Sequence, residues 1–342
     1  MAHAMDMPFR RLGRSGLIVS RIALGTMTFG DRTEEPEARR IVHAAADAGV
    51  NFIDTADVYA GGRSEEIVGR AIAADRHRWV LATKLGNPNG AGPNQRGLSR
   101  KWIMDEAMDS LRRLGTDFVD ILYLHKEDAQ TPLEETVRAM ADLQRSGAIR
   151  YFGISNFKAW RIARICAICD AAGIGRPIVD QPLYHALNRG IEVEVLPACD
   201  AFGIGVFAYS PTARGVLSGK YAPGAPPPEG SRAALQNRRI IETEYHPDTL
   251  AAAAALAAHA RNRGADPAAF AMAWVLANPL LAGAIAGPRT MEQWESAIGG
   301  LGVDVSPEDE QAVSALVPPG TTAIHQFIDP AYPVEGRPAG RV

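Results

Sequence analysis

Short apolar runs alternate with amphipathic stretches along most of this chain. The runs are Ile22 to Leu24, Asn51 to Asp54, Trp79 to Lys84, Val119 to His125, Ile149 to Ser155, Ile178 to Gln181, Gly205 to Tyr209 and Ala282 to Ala286. Most are near-continuously apolar, as in VDILYL, rather than alternating, and that pattern predicts strands covered on both faces. Between them lie stretches of helical period: Pro36 to Ala48, Ser64 to Ala73, Ser99 to Leu114, Pro132 to Ser146, Lys158 to Ala172, Ile191 to Ala201 and the Ala-rich Asp248 to Arg263. Start and stop signals frame several of them. Ser64 opens one with Glu65 and Glu66 in its first turn, and Gly49, Gly115, Gly147 and Gly173 stand just past C-termini. Ahead of this rhythm, Phe9 to Ser20 has two short apolar segments around Gly13 and Gly16 and reads as a small hairpin.

Eight strands alternating with helices predict an α/β fold, a (β/α)8 TIM barrel with an N-terminal β-hairpin. An open doubly wound sheet binding a dinucleotide would usually carry a GxGxxG turn after its first strand, and none occurs. Two intervals break the rhythm, Leu85 to Leu98 after the third barrel strand and Gly215 to Pro247 after the seventh. Both are rich in Gly and Pro and follow strand C-termini, where barrel enzymes keep their chemistry, so they read as lids or clasps. The expected organisation is one domain over 1–342, with the barrel at about 9–316 and a Pro-rich tail, 318–342, that either folds back over the mouth or frays.

Composition adds little to the fold but removes some functions. With 342 residues, 46% hydrophobic and 22% charged, the chain is an ordinary globular one, and a net charge of -3 gives no polybasic footprint for nucleic acid or anionic membrane. A small-molecule partner is the default. Three cysteines suit a reducing compartment, and Cys166 and Cys169, a CxxC without a second pair or a His cluster, read as helix packing with no metal. MAHAMDMPFRR has no apolar signal core and no run is long enough to span a bilayer, so no membrane insertion and a cytoplasmic location are expected.

Candidate chemistry gathers at the strand ends. Asp54, Lys84 and His125 terminate the second, third and fourth barrel strands, and Tyr59 follows in the loop after the second. In a barrel these ends converge. A structural salt bridge accounts for Asp54 with Lys84 but for neither Tyr59 nor His125. A coupled set accounts for all four. A nearby ammonium stabilises a phenolate and lowers the tyrosine pKa, the carboxylate holds the ammonium charged, and the histidine hydrogen-bonds a carbonyl oxygen. The remaining chemistry then has to come from a bound hydride donor.

These residues resemble the aldo-keto reductases, over about Phe9 to Leu316. The likeness rests on GVNFIDTADVY followed by SEEIVGRAI, on ATK, LYLH and YFGISNF, and on AYSPTARGVLSGKY. It implies an NADP(H)-dependent reduction of an aldehyde or ketone, with Asp54, Tyr59, Lys84 and His125 as the catalytic tetrad and Tyr59 as proton donor. It further implies that Ser155, Asn156 and Gln181 bond the nicotinamide carboxamide, that Tyr209 stacks on the ring, and that Gly25, Thr26 and Met27 lie beside it. Ser210, Pro211, Thr212, Leu217, Gly219 and Lys220 would meet the pyrophosphate, with Arg232 clasping from the long loop. Gly287, Arg289 and Gln293 resemble the adenosine-phosphate site, and Arg289 favours NADP(H) over NAD(H). Where relatives often carry a Glu-Asn pair gripping the adenine, this chain has Ser296 and Ala297, which predicts a weaker or less selective cofactor site.

The chain also resembles the voltage-gated potassium channel β-subunits, barrel proteins that hold NADP(H) while attached to a channel. That likeness implies a binding or redox-sensing role instead. Those subunits generally have asparagine where this chain has His125, which favours the enzyme. A Schiff-base role for Lys84 is disfavoured because a lysine beside Asp54 stays charged. Neither the carbonyl substrate nor assembly into a homo-oligomer is readable from the residues.

Overall fold

The computed structural model describes residues 7–324 and 329–332, and all eight apolar runs enter one closed parallel barrel. A hairpin of β1 (Phe9–Arg11) and β2 (Ile18–Ser20) precedes it. The barrel strands are β3 (Ile22–Gly25), β4 (Phe52–Asp54), β5 (Val80–Leu85), β6 (Val119–Leu124), β7 (Ile149–Ile154), β8 (Val179–Asp180), β9 (Gly205–Ala208) and β10 (Gly283–Ala286), with β10 closing on β3. Helices α1 (Glu35–Asp47), α2 (Arg63–Ile72), α3 (Arg100–Leu114), α4 (Leu133–Arg145), α5 (Ala159–Ala171) and α6 (Val195–Phe202) follow the first six barrel strands, one apiece. After β9 come α7 (Arg238–Glu242), α8 (Pro247–Asn262) and α9 (Pro267–Ala277), and after β10 come α10 (Met291–Gly299) and α11 (Pro307–Leu316).

Strand alternation divides the apolar side chains into two cores. Phe52, Val80, Ala82, Ile121, Tyr123, Val179 and Phe207 fill the barrel, where the Phe52 and Phe207 rings meet edge to face at 4.9 Å. Ile53, Leu81, Leu122 and Phe152 point the other way, into the layer shared with the helices. The hairpin contributes Leu12 and Val19 to the inner cluster and plugs the barrel floor. Its turn requires Gly13: φ is +57°, and a Cβ there would come within 2.8 Å of backbone atoms of Ile178, Gly203 and Gly205.

Three expectations change. Ser64 is not a helix cap. Gly62, left-handed at φ 93°, precedes α2, and the buried Ser64 hydroxyl instead ties Thr26 and Thr55 together at 2.9 Å each. The Ile191 helix starts at Val195, after a tight turn at Gly190–Glu192 where Glu192 accepts from Tyr184 and Arg189. Four helices, α7 and α9 to α11, escape the periodicity reading. α9 buries most of its residues and so has no polar face to set a period.

Cys166 and Cys169 on α5 and Cys199 on α6 are buried thiols, and burial pushes Cys166 up to about 11 and Cys169 to about 12. They pack in the outer core. Among the described residues, no helix is long and apolar enough to cross a membrane. The tail returns along the barrel rather than leaving it: Arg189 N–H donates to Thr321 O at 2.8 Å and Ala323 N–H to Leu187 O at 2.9 Å. Positions 1–6, 325–328 and 333–342 lie outside the described residues, and with them most of the N-terminal segment and the rest of the tail.

Candidate active site

Each barrel strand delivers a polar or backbone group to the same rim. Asp54 ends β4, Lys84 is next to last in β5, and His125, Ser155, Gln181 and Tyr209 directly follow β6, β7, β8 and β9. Parallel register brings them level, with Gly25 opposite Asp54 and Lys84 opposite Tyr123. Tyr59 opens a tight turn after β4 in which Ala60 takes φ 50°, and that turn brings the ring back over Lys84.

One chain of hydrogen bonds then links the group. The fully buried Lys84 ammonium donates to Asp54 Oδ1, to Thr55 O at 2.8 Å and to Tyr59 Oη at 3.2 Å. Gln181 Nε2 donates to Asp54 Oδ2 at 2.9 Å, and Gln181 O accepts from Ser155 Oγ at 2.6 Å. Asn156 Nδ2 donates to Ser155 Oγ and to His125 O, while Asn156 Oδ1 accepts from Tyr209 Oη at 3.0 Å. Asn156 and Ser210 both hold positive φ, backbone that L residues adopt only when their surroundings compensate.

Charge states follow from burial and pairing. Desolvation pulls the Lys84 ammonium down, but Asp54 and Tyr59 outweigh it and hold it above the ordinary lysine value, so it stays charged. Burial raises Asp54 against the pull of Lys84. Lys84, much the stronger base, keeps the proton. Tyr59 departs from the sequence expectation: Lys84 does lower it, yet burial, with Asp54 and Asp57, raises it further, and the phenol stays protonated. Desolvation and Lys84 push His125 well below the usual histidine range, so its ring is neutral; it stands edge-on to Tyr59 at 6.0 Å.

The rim opens into a cavity of about 640 Å³. Its wall includes Gly25, Thr26, Met27, Asp54, Tyr59, His125, Ser155, Asn156, Gln181, Tyr209, Ser210, Pro211, Thr212, Lys220, Arg232, Gly287, Arg289 and Gln293. Lys84 lies beneath that wall, fully buried. Two expected residues stay off it. Leu217 is buried in the outer core, and Gly219, at φ 74°, turns against Ala257 and Arg261.

The wall also carries residues to which the motifs assigned no role: Arg32, Asn87, Arg214, Arg239, Asp266 and Tyr332. Arg32 Nη2 and Arg289 Nη1 both donate to Gly230 O, at 2.8 and 3.3 Å, so the loops after β3 and β10 grip the long loop from opposite sides. With Lys220 and Arg232 they form a cationic cluster that has no ion pair among the described residues. Burial, then Arg214 and Arg32, push Arg232 down to about 10, and burial with three arginines lowers Lys220. At the far end, Asp266 Oδ2 accepts from Ser296 Oγ at 2.5 Å and from Ala269 N–H at 2.9 Å. Carboxylates therefore do face this cavity, Asp266 at the start of α9 and Glu292 in the first turn of α10.

A packed barrel thus sets a protonated tyrosine on a charged lysine at one end of a cavity whose middle is cationic. The chain belongs to the aldo/keto reductase family, whose model matches residues 21–317, and it is thereby an oxidoreductase of a family that generally binds NAD(P)(H). It is 40% identical over 319 residues to a probable voltage-gated potassium channel subunit beta of Oryza sativa subsp. japonica, covering 91% of this chain and 97% of the relative. A protein of the same description from Arabidopsis thaliana is 41% identical over 295 residues (84% and 89%). The uncharacterized oxidoreductase YrpG of Bacillus subtilis is 36% identical over 324 residues (91% and 96%).

Proposed function

We propose that the protein is a cytoplasmic NADP(H)-dependent reductase of aldehydes or ketones, with Tyr59 as proton donor. The observation that carries this reading is the contact of Lys84 Nζ with Tyr59 Oη at 3.2 Å, on a lysine that Asp54 and Gln181 hold in place. The cavity fits the cofactor in kind: neutral amide and hydroxyl groups at the rim, then a cationic cluster suited to phosphates. Arg32, Lys220, Arg232 and Arg289 would hold the phosphates, and Asn156, Ser155 and Gln181 the carboxamide. When bound, the dinucleotide supplies hydride from nicotinamide C4.

The protein's residues handle the oxygen. Neutral His125 donates a hydrogen bond to the substrate carbonyl and turns it toward Tyr59. As negative charge develops there, Tyr59 Oη passes its proton to the oxygen, and the phenolate left behind is stabilised by the Lys84 ammonium. The upward shift of Tyr59 suits this order of events, because a phenol that resists ionisation gives its proton only to a base as strong as an alkoxide. Tyr59→Phe is expected to lower kcat by at least about 10² to 10⁴ while leaving the Kd for NADPH within about twofold. Wild-type turnover in that variant would remove Tyr59 from the role.

The potassium channel subunits among the relatives favour a second reading, a cofactor-holding protein that signals redox state to a partner. NADPH oxidation over a panel of aldehydes separates the two. Tight NADPH binding with no turnover of any carbonyl would favour the second.

A further inference from the structure

The tail residues Asp329 to Tyr332 meet the long loop at the cavity mouth. Arg239 of α7, itself on the cavity wall, donates to Asp329 through both guanidinium nitrogens, at 2.9 and 2.7 Å. The Arg239 side chain is 33% exposed and Asp329 only 11%, so the arginine is the partner that reaches the opening. Tyr332 lines the cavity with Tyr209, which donates to Asn156, so this strap lies over the tetrad end of the cavity.

Among the described residues, each cation on or under the cavity wall at that end has a carboxylate. Lys84 has Asp54, Arg214 has Glu244 at 2.8 Å, and Arg239 has Asp329. Desolvation raises Glu244 and Asp329, but His185, Arg214 and Thr243 outweigh it for the first and Arg239 with Ala331 N–H for the second, so both carboxylates remain ionised. His125 is neutral. The loops beside the tetrad add Met27, Val58 and Asn87, uncharged and partly apolar. Among the described residues, the wall cations without an ion pair all belong to the phosphate cluster; Lys126, next to His125, lies off the wall. An anionic group brought in beside Tyr59 would lose its water and find no free counterion among the described residues of the wall.

Resting on the reductase reading above, we infer that the substrate is a neutral carbonyl compound with an apolar body, and that Asp329 enforces this by occupying Arg239, the cation an acidic substrate would otherwise meet. Asp329 is thus a specificity-determining residue supplied by the tail. Removing its charge leaves Arg239 only a 3.7 Å contact with Glu242, which Arg238 shares, and so opens it to a bidentate pair with a substrate carboxylate.

The matched pair 4-formylbenzamide and 4-formylbenzoate tests this, because the two differ in charge but hardly in size. Binding of each to the full chain with NADP(H) present is measured by calorimetry, and kcat/KM alongside. The wild type is expected to bind the amide at least about tenfold more tightly than the carboxylate, and Asp329→Asn to narrow that ratio about tenfold through the carboxylate alone. Asp329→Glu should keep the wild-type ratio. In Arg239→Met with Asp329→Asn the gain should vanish, which separates a freed cation from a loosened tail. Equal wild-type binding of the two compounds, binding of neither, or a gain that survives loss of Arg239 overturns the proposal. Selective binding of the amide with no turnover leaves the neutral site standing and sinks the reductase reading instead.

Discussion

The two ends of the cavity handle charge in opposite ways. At the tetrad end, Lys84 is fully buried yet satisfied, with Asp54, Thr55 O and Tyr59 around it and Gln181 bracing Asp54. In the cationic cluster, Arg32, Lys220 and Arg232 are each lowered by burial and by one another or by Arg214 and Arg289, with no carboxylate pair among the described residues. A balanced group can stand preorganised, which is what a proton-transfer site needs. An unbalanced one stores repulsion that an anion relieves, which is what a binding site needs. The scaffolds match these tasks: strand ends hold the first, and the loops after β3, β9 and β10 hold the second.

The contrast predicts that one kind of substitution, a buried cation to methionine, acts oppositely at the two ends. Lys84→Met leaves Asp54 buried without its partner and should cost about 3–5 kcal/mol of stability. Because burial raises the Asp54 carboxyl, the fold tolerates its protonated form, and the loss grows as pH rises above the ordinary carboxylate range. Thermal melts at pH 5 and pH 8 should show the larger drop at pH 8, together with near-complete loss of turnover. Equal drops at both pH values would mean that Asp54 is not the group left exposed to the defect.

Arg232→Met removes a charge that the fold disfavours. The folded arginine lies below its ordinary value, at about 10, so at neutral pH its protonated form weakens the fold slightly. Melting temperature should hold or rise, while NADPH affinity falls about 10- to 100-fold through the loss of charge-assisted bonds to phosphate. A fall in stability with unchanged affinity would assign Arg232 to the structure rather than to the ligand.

The sequence foreshadowed the tetrad end far better than the cationic end, for physical reasons. Asp54, Lys84, His125, Ser155, Gln181 and Tyr209 stand where apolar runs stop, so strand periodicity alone locates them on one rim. Arg32 and Arg239 carry no such mark. Arg32 sits in an irregular loop and Arg239 in a five-residue helix within one, and the placement of each depends on a distant partner, Gly230 for the first and Asp329 for the second. The sign of the Tyr59 shift was likewise beyond the sequence, because proximity to Lys84 follows from the motif but the depth of burial that overrides it does not. Leu217 and Gly219 lie off the wall for a related reason, since the left-handed turns at Arg214, Gly215 and Gly219 set the path of that segment.

The adenine end gives the smallest expected effect. The chain has Ser296 and Ala297 on α10, and no carboxylate at either position, but Asp266 on the neighbouring helix faces the same space beside Ala268, Met272 and Ala297. One of its oxygens serves Ser296 and the α9 backbone, which leaves the other as an acceptor for an amine such as that on adenine C6. Asp266→Asn keeps a side-chain oxygen for the cap on Ala269 N–H and can turn its amide nitrogen outward, replacing an acceptor by a donor. NADPH should then bind about three- to tenfold more weakly, a modest loss because the group is exposed. Deamino-NADPH, which carries a carbonyl oxygen in place of that amine, should lose nothing or gain. The ratio of the two affinities, read by fluorescence titration, isolates the contact from any general weakening of the site. A ratio that does not move would take Asp266 out of adenine recognition and leave the cofactor's grip to the phosphate cations alone.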